Sequence, residues 1–261
     1  MTDAVFRRDG ERFVPTKLAG SPWADELQHG GPPAGLLARA IENLAASEEM
    51  RIVRLTVDLF RPVPMKPITV AARSVREGKR IHVVDAAIVA DGVEVSRASG
   101  LLLRATDLPS AQARGTIHPP SDPEGGDAGW MVRQQDAPRR DGFHTASEIR
   151  RLPRAETGPS IAWIRVPELI EEEEMSPVVR LASTCDFVNA VGSMGALPGG
   201  GGFINTDSTI YLHRPPIGEW ICLQVERGTE PDGIGVSSAV IFDRDGSVGR
   251  AAQAVLANQM R

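Results

Sequence analysis

Residues 54 to 62 read RLTVDLFRP and residues 207 to 215 read DSTIYLHRP, so that Arg61 and Arg214 stand 153 residues apart. Carried forward without a gap, the same offset pairs Ile81 with Ile234, Val83 with Val236, Ala86 with Ala239, Ile88 with Ile241, Arg97 with Arg250, Ala98 with Ala251 and Leu103 with Leu256. Chance does not hold such a register, and a fixed period marks a duplicated structural unit. Two Asp-Gly pairs, Asp91-Gly92 and Asp245-Gly246, fall within one residue of equivalence, each flanked by apolar alternation such as IHVVDAAIV and GVSSAVIF. That pattern predicts long antiparallel strands joined by tight hairpins, so each copy is expected to be a meander.

Ahead of the first meander, residues 29 to 42 read HGGPPAGLLARAIE. Pro32 and Pro33 suit the first turn of a helix, whose N–H groups have no partner, and Leu36, Leu37, Ala40, Ile41 and Leu44 then share one apolar face. Gly30 and Gly31 leave the backbone N–H groups at the helix mouth uncovered, which suits an anion or oxyanion site and equally suits a plain tight turn. The 153-residue offset sets Pro33 on Asp186, where DFVNAVGSMGAL, residues 186 to 197, predicts a helix buried nearly all round. Before each helix stand candidate strands or hairpins, FRRDGERFV with its Asp9-Gly10 turn in the first copy, FHTASEIRRL and SIAWIRV in the second. The expected fold class is α+β: two tandem units, residues 1 to 104 and 143 to 261, with sheets side by side and helices on one concave face. Residues 105 to 142, rich in Pro, Gly, Asp and Gln without periodicity, read as a linker or an ordered surface excursion. EEEE at 171 to 174 and GGGG at 199 to 202 read as connections, the latter lacking the Gly-Lys-Ser/Thr ending of a phosphate loop.

Composition narrows the function. With 261 residues, 41% of them apolar, the chain can build a large core. A net charge of -5 carries no footprint for nucleic acid, and no segment nears the roughly 18 apolar residues of a membrane span. The N-terminus lacks an apolar signal region, so a cytoplasmic protein is expected, with neither nucleic acid nor membrane as partner. Cys185 and Cys222 form no disulfide framework or zinc quartet and are expected to be small buried residues. Five scattered histidines offer no metal pattern, VGSMG has the wrong spacing for a G-x-S-x-G elbow, and nothing calls for a cofactor.

PWADELQHGGPPAGLLARAIE, FRPVP, AWIR, HRPP and DGSVGRAAQAVL, in that order, resemble bacterial thioesterase-like proteins related to acyl-CoA thioesterase II. The resemblance implies a double hot-dog fold, each long helix wrapped by an antiparallel sheet. It further implies hydrolysis of acyl-CoA or acyl-carrier thioesters by an activated water, held in the second hot-dog by an aspartate, a hydroxyl residue and a glutamine. Matched residue by residue, the aspartate is Asp186 and the glutamine is Gln253; the hydroxyl position falls on Asn205, with Thr206 the alternate, one residue later and on the opposite face of a regular strand. The implied substrate-binding groups are His29, the N–H groups of Gly30 and Gly31, and Arg61 and Arg214 toward CoA phosphates. The expected partner is acyl-CoA, with a homodimer or larger homo-oligomer left open.

Each residue also has a plainer reading. Asp186 suits a helix N-cap, Gln253 a solvent-facing strand position, His29 a loop histidine capping backbone, and the two Arg-Pro pairs a structural corner. Pro33 and Gly100 stand in the first copy where Asp186 and Gln253 stand in the second, so the first copy is expected to lack a working site. Two other functions fit the same fold: a noncatalytic acyl-CoA-binding module, and a hydratase or dehydratase. The latter wants a histidine near its acid on the helix, and DFVNAVGS has none.

Overall fold

The computed structural model describes residues 4–45, 49–106, 117–128, 140–154, 158–193 and 202–258. The first half comprises β1 (Phe6–Asp9), β2 (Arg12–Pro15), α1 (Gly31–Leu44), β3 (Met50–Asp58), β4 (Ile68–Arg76), β5 (Ile81–Ala90) and β6 (Val93–Arg104). The second comprises α2 (Phe143–Ala146), β7 (Glu148–Arg151), β8 (Ser160–Arg165), α3 (Pro177–Cys185), α4 (Phe187–Gly192), β9 (Gly202–Asn205), β10 (Asp207–Leu212), β11 (Ile221–Thr229), β12 (Ile234–Asp243) and β13 (Gly246–Asn258). The strands form one 13-stranded sheet in the order β1-β2-β4-β5-β6-β3-β10-β13-β12-β11-β8-β7, with β9 paired to β13.

The duplication read in the sequence recurs in the strand register. Ala71 faces Ala87 across β4 and β5, and 153 positions on Gln224 faces Val240 across β11 and β12. Ala86 opposite Ala98 recurs as Ala239 opposite Ala251, and Val57 opposite Ala98 recurs as Ile210 opposite Ala251. One bulge repeats as well, between Ile88 and Val89 and between Ile241 and Phe242, whereas those at Ile52/Arg54 and Ser74/Arg76 belong to the first half. A bulge adds twist at one fixed place, so its recurrence means that both sheets coil around their helices at the same point. The halves join where β3 pairs antiparallel with β10, and Thr56 meets Thr209 there, hydroxyl to hydroxyl at 3.3 Å, 153 residues apart. A residue facing its own repeat marks a local two-fold axis.

The helices cover one face. α1 packs on β3 to β6, α4 on β8, β9 and β11 to β13, and α3 bridges them by lying on α1, β10 and β11. Leu36, Leu37 and Ile41 are fully buried, but Leu44 is 46% exposed because the buried stripe of the last turn runs through Ile41 and Ala45 instead. One continuous apolar core spans both halves, whereas Leu152, Trp163, Cys222 and Phe242 form a small cluster of their own. Residues 117–128 lie against that cluster, with Trp163 Nε1 donating to the Ser121 carbonyl at 2.8 Å and Arg244 pairing with Glu124 at 2.6 Å. No helix among the described residues is long and apolar enough to cross a membrane.

Two local expectations are corrected. FHTA is a helical turn and only the following residues form a strand, since the Thr145 hydroxyl and the Gly142 backbone close a tight turn on each other. The second central helix does not start at Asp186: α3 precedes it, capped by Ser176 with Pro177 at its first position, and Asp186 is the helical joint between α3 and α4. Residues 194–201, including most of GGGG, lie outside the described residues.

Candidate active site

α1 and α3 run antiparallel, which brings the N-terminus of α1 to Asp186. That approach explains the two glycines. A Cβ on Gly30 would stand 2.7 Å from Asp186 Oδ1, and one on Gly31 would stand 2.5 Å from the Ser183 carbonyl. Real Cβ atoms do not come so close, so both positions exclude a side chain and the halves meet backbone against carboxylate.

Asp186 is not a helix cap. Its backbone is helical, with φ -62° and ψ -23°, and its side chain makes no capping bond. The carboxylate turns instead to the first half, where His29 Nδ1 lies 2.8 Å from Oδ2, while Asn205 Nδ2 donates to Oδ1 at 2.8 Å. Nδ1 also lies 3.2 Å from the Gly31 nitrogen. A ring nitrogen that gives its proton to a carboxylate has no lone pair for an amide, so the Gly31 N–H serves Asp186, which it also reaches. Burial works to raise the Asp186 pKa; the charge and hydrogen bond of His29, the amide of Asn205 and the Gly31 N–H together hold it below the ordinary carboxylate value. The group is buried and ionised.

Aromatic rings fix the imidazole. His29 packs against Phe187 at 5.0 Å and Phe143 at 5.4 Å between ring centres, and its own N–H donates to Ala19. Phe143 is placed there because its N–H bonds the Gly20 carbonyl, docking the start of the second half onto the loop before His29.

Gln253, on β13, is buried under α4. Its Nε2 donates to the carbonyl of Cys185, the residue before Asp186, at 2.9 Å, and its Oε1 has no partner among the described residues. Thus His29, Gly30, Gly31, Asp186, Asn205 and Gln253 are brought together. Thr206 is not: it is exposed, in the bend between β9 and β10. Arg61 is exposed and stacked near Phe60, in a loop that flanks the site through Leu59 N–H to the Thr206 carbonyl and Gln28 N–H to the Val63 carbonyl. Arg214 lies at the other end of α1, near Glu42 and Pro177, and its guanidinium is taken up by Asp243 and the Gly246 carbonyl. Both cysteines are buried, and burial pushes both thiols up, with the Asp186 charge adding to the effect at Cys185, so neither is a nucleophile.

Residues 19–103 match the model of the acyl-CoA thioesterase N-terminal domain, and residues 114–257 match that of the acyl-CoA thioesterase C-terminal domain. The chain belongs to the acyl-CoA thioesterase family. The fold is the double hot-dog. A tesB protein of Mycobacterium avium subspecies paratuberculosis superimposes with a TM-score of 0.70 at 15% identity, over 97% of this chain and 96% of that one. A hot-dog protein of unknown function from Alicyclobacillus acidocaldarius gives 0.67 at 15% identity, over 97% and 96%. The acyl-CoA thioesterase II TesB2 of Mycobacterium marinum gives 0.61 at 12% identity, over 88% and 90%. At these identities the likeness speaks for the fold alone. No curated protein matches the sequence.

In this acyl-CoA thioesterase family member, three inward polar residues, Asn189, Arg227 and Ser237, are not singled out by the sequence and join Gln253 in one network. Arg227, Ser237 and Gln253 lie opposite one another across β11, β12 and β13, one row on the inner face of the sheet. Above them Asn189 of α4 donates to the Phe203 carbonyl and to Asn205 Oδ1, and its own Oδ1 accepts from Arg227 at 2.5 Å. The signal was present: Arg227 falls in phase with the buried Ile221, Leu223 and Val225 of its strand, where period-two alternation demands an inward residue.

Proposed function

We propose that this chain hydrolyses acyl-CoA thioesters with one water-activating site, built where the two hot-dogs meet. The observation that carries the reading is the ionised, buried carboxylate of Asp186, which three donors hold and orient. A carboxylate offers about four lone-pair positions. His29, Asn205 and Gly31 use three, which leaves one for a water proton, and the unpartnered Oε1 of Gln253 supplies an acceptor for the other. A water held by both hydrogens presents its oxygen lone pair to a thioester carbon. Attack places the carbonyl electrons on oxygen and passes the water proton to Asp186; collapse breaks the carbon–sulfur bond, and the departing thiolate takes the proton back. The protein needs only a weak base for so reactive an ester.

A second reading has its own support. The histidine that a hydratase or dehydratase wants near its acid is absent from the helix but is delivered by the other half, as His29. A dyad of this kind leaves Nε2 to carry a proton to or from a carbon acid. The family match favours hydrolysis, and one experiment separates the two. Acyl-CoA and 2-enoyl-CoA of matched lengths are offered to the protein, with thiol release and loss of enoyl absorbance followed in parallel. Thiol release from the saturated series is expected. Hydration without thiol release would overturn the hydrolase reading, and saturable binding with neither would leave a binding module.

A further inference from the structure

Resting on the thioesterase reading, we propose that Arg227 selects acyl groups carrying a carboxylate at their far end, making short dicarboxylic monothioesters the preferred substrates over plain fatty acyl chains. Arg227 lies on the inner face of β11, two strands from Gln253, with its guanidinium between the sheet and α4. Nε donates to Ser237 at 2.9 Å, one terminal nitrogen to Ser193 at 3.1 Å, and the other to the backbone and side-chain oxygens of Asn189 at 2.5 Å each. The Phe203 ring lies 4.7 Å from its carbon. Every one of these partners is neutral, and no carboxylate stands within ion-pair distance of Arg227 among the described residues. Burial presses its pKa down, as expected for a cation without a counter-charge. These bonds use four of the five guanidinium N–H groups, and the fifth, with the uncompensated charge, is available to one carboxylate oxygen.

The fold does not require this arginine. The residues that correspond by the 153-residue repeat to Arg227, Ser237 and Gln253 are Ser74, Val84 and Gly100, paired across β4, β5 and β6 in the same register. There the row is Ser, Val and Gly with no charged group, Ile41 of α1 comes down directly onto Gly100, and the strands still pair, with a bulge just past Ser74. The second half therefore departs from its own template by placing a cation, a hydroxyl and an amide in one line beneath the short helix.

The line leads from Asp186 through Asn205 and Asn189 to Arg227. Asn189 follows Asp186 by three residues, about 4.5 Å along the helix axis, and links Asn205 to Arg227. A group held on this inner row belongs to the acyl part of the substrate, since CoA phosphates need the solvent-facing rim.

The test compares glutaryl-CoA with pentanoyl-CoA, and the two pantetheine thioesters, which carry no phosphate. The parent is expected to favour the carboxylated member about 10- to 100-fold in kcat/KM, the worth of one charged hydrogen-bonded contact. The preference should persist with pantetheine, vanish in Arg227→Met and survive in part in Arg227→Lys. A parent that favours the uncharged chain overturns the proposal without any variant, as does an Arg227→Met that slows both substrates equally, the behaviour of a strut. A preference lost with pantetheine would assign Arg227 to a CoA phosphate instead, and so also overturn it. Binding of non-hydrolysable thioether analogues of the same pair is measured alongside. Charge-selective binding without turnover of any thioester would refute hydrolysis while leaving the Arg227 assignment intact, and turnover without selectivity would do the reverse.

Discussion

Asn in place of Asp186 preserves the shape of the side chain and removes its charge. In the parent the carboxylate accepts from His29, Asn205 and Gly31. In the variant the amide oxygen still accepts from Asn205, and the amide nitrogen faces His29 Nδ1, which becomes an acceptor once the ring proton moves to Nε2. Gly31 loses its partner. Contacts to a charged group, about 1.5–3 kcal/mol each, thus become neutral contacts of about 0.5–1.5, while the cost of burying a charge disappears. The net loss is on the order of 1–3 kcal/mol, a few degrees in melting temperature for a chain near this size. Turnover should fall much further, about 10²- to 10⁴-fold, because the group that takes the proton is gone. The pH dependence carries a sign. The folded-state pKa of Asp186 lies below its unfolded value, so its contribution to stability is complete above the unfolded value and is lost as pH falls through the folded one. Melting temperatures of parent and variant should therefore differ at neutral pH and converge in acid. The parent's kcat/KM should likewise hold down to below the ordinary carboxylate range, about 3.9 for aspartate. Thiol release and thermal melts across the acid-to-neutral range check both. Parent-rate hydrolysis by Asp186→Asn would refute the role of the carboxylate, and a limb in the ordinary imidazole range, about 6.5, would move the proton to the ring.

Gly30→Ala places a methyl 2.7 Å from Asp186 Oδ1, so the carboxylate must swing away from His29 and Asn205; kcat is expected to fall at least about tenfold with the parent's far-ultraviolet spectrum retained, and a parent-like rate would show that the close approach is immaterial. Glu42 is half-buried beside Ser176, and its partial burial raises its pKa against the opposing pull of the Ser176 hydroxyl. A carboxyl with a raised folded pKa costs stability as pH climbs from its unfolded to its folded value, so Glu42→Gln should melt with the parent in acid and above it at pH 8; a lower melting point at pH 8 would mean that the Ser176 bond outweighs burial.

The architecture was legible because duplication doubles every signal. One hairpin such as Asp91-Gly92 predicts a turn; two in register with matching Ala86 and Ala239, Arg97 and Arg250, predict the strand pairing itself, and the bulges at Ile88 and Ile241 follow the same arithmetic. Helix α3 has no counterpart in the first half to announce it: its equivalent positions hold ADELQHGGP, a loop that reaches only the first two residues of α1. For the site, residue types were readable and partnerships were not. DFVNAVGS truly lacks a histidine, and the one that pairs with Asp186 lies 157 positions earlier, brought in only by the packing of α1 on α3. Likewise the glycines of HGGPP, legible as special backbone, serve close approach: the Gly31 N–H turns to the carboxylate, and Pro32 and Pro33 have no N–H to offer.

Duplication also accounts for why the chemistry gathers once. A two-fold axis through Thr56 and Thr209 makes two equivalent junctions, each needing an acid from one half and a histidine from the other. At one junction stand Asp186, His29, Gln253 and Arg227. The positions that mirror them hold Pro33, Ala182, Gly100 and Ser74. None of the four replacements abolishes the strand pairing, because all are small or helix-compatible, and none carries a charge. A homodimer of single hot-dogs would carry identical residues at both junctions and could not tune one to reaction and the other to packing. Once the halves share a chain, His29 need serve only Asp186, and Ile41 can fill over Gly100 the space that Gln253 occupies in the other half. The second junction thereby becomes core that buttresses α1. The rigidity that holds His29 within 2.8 Å of Asp186 then comes from the half that gave up its own site.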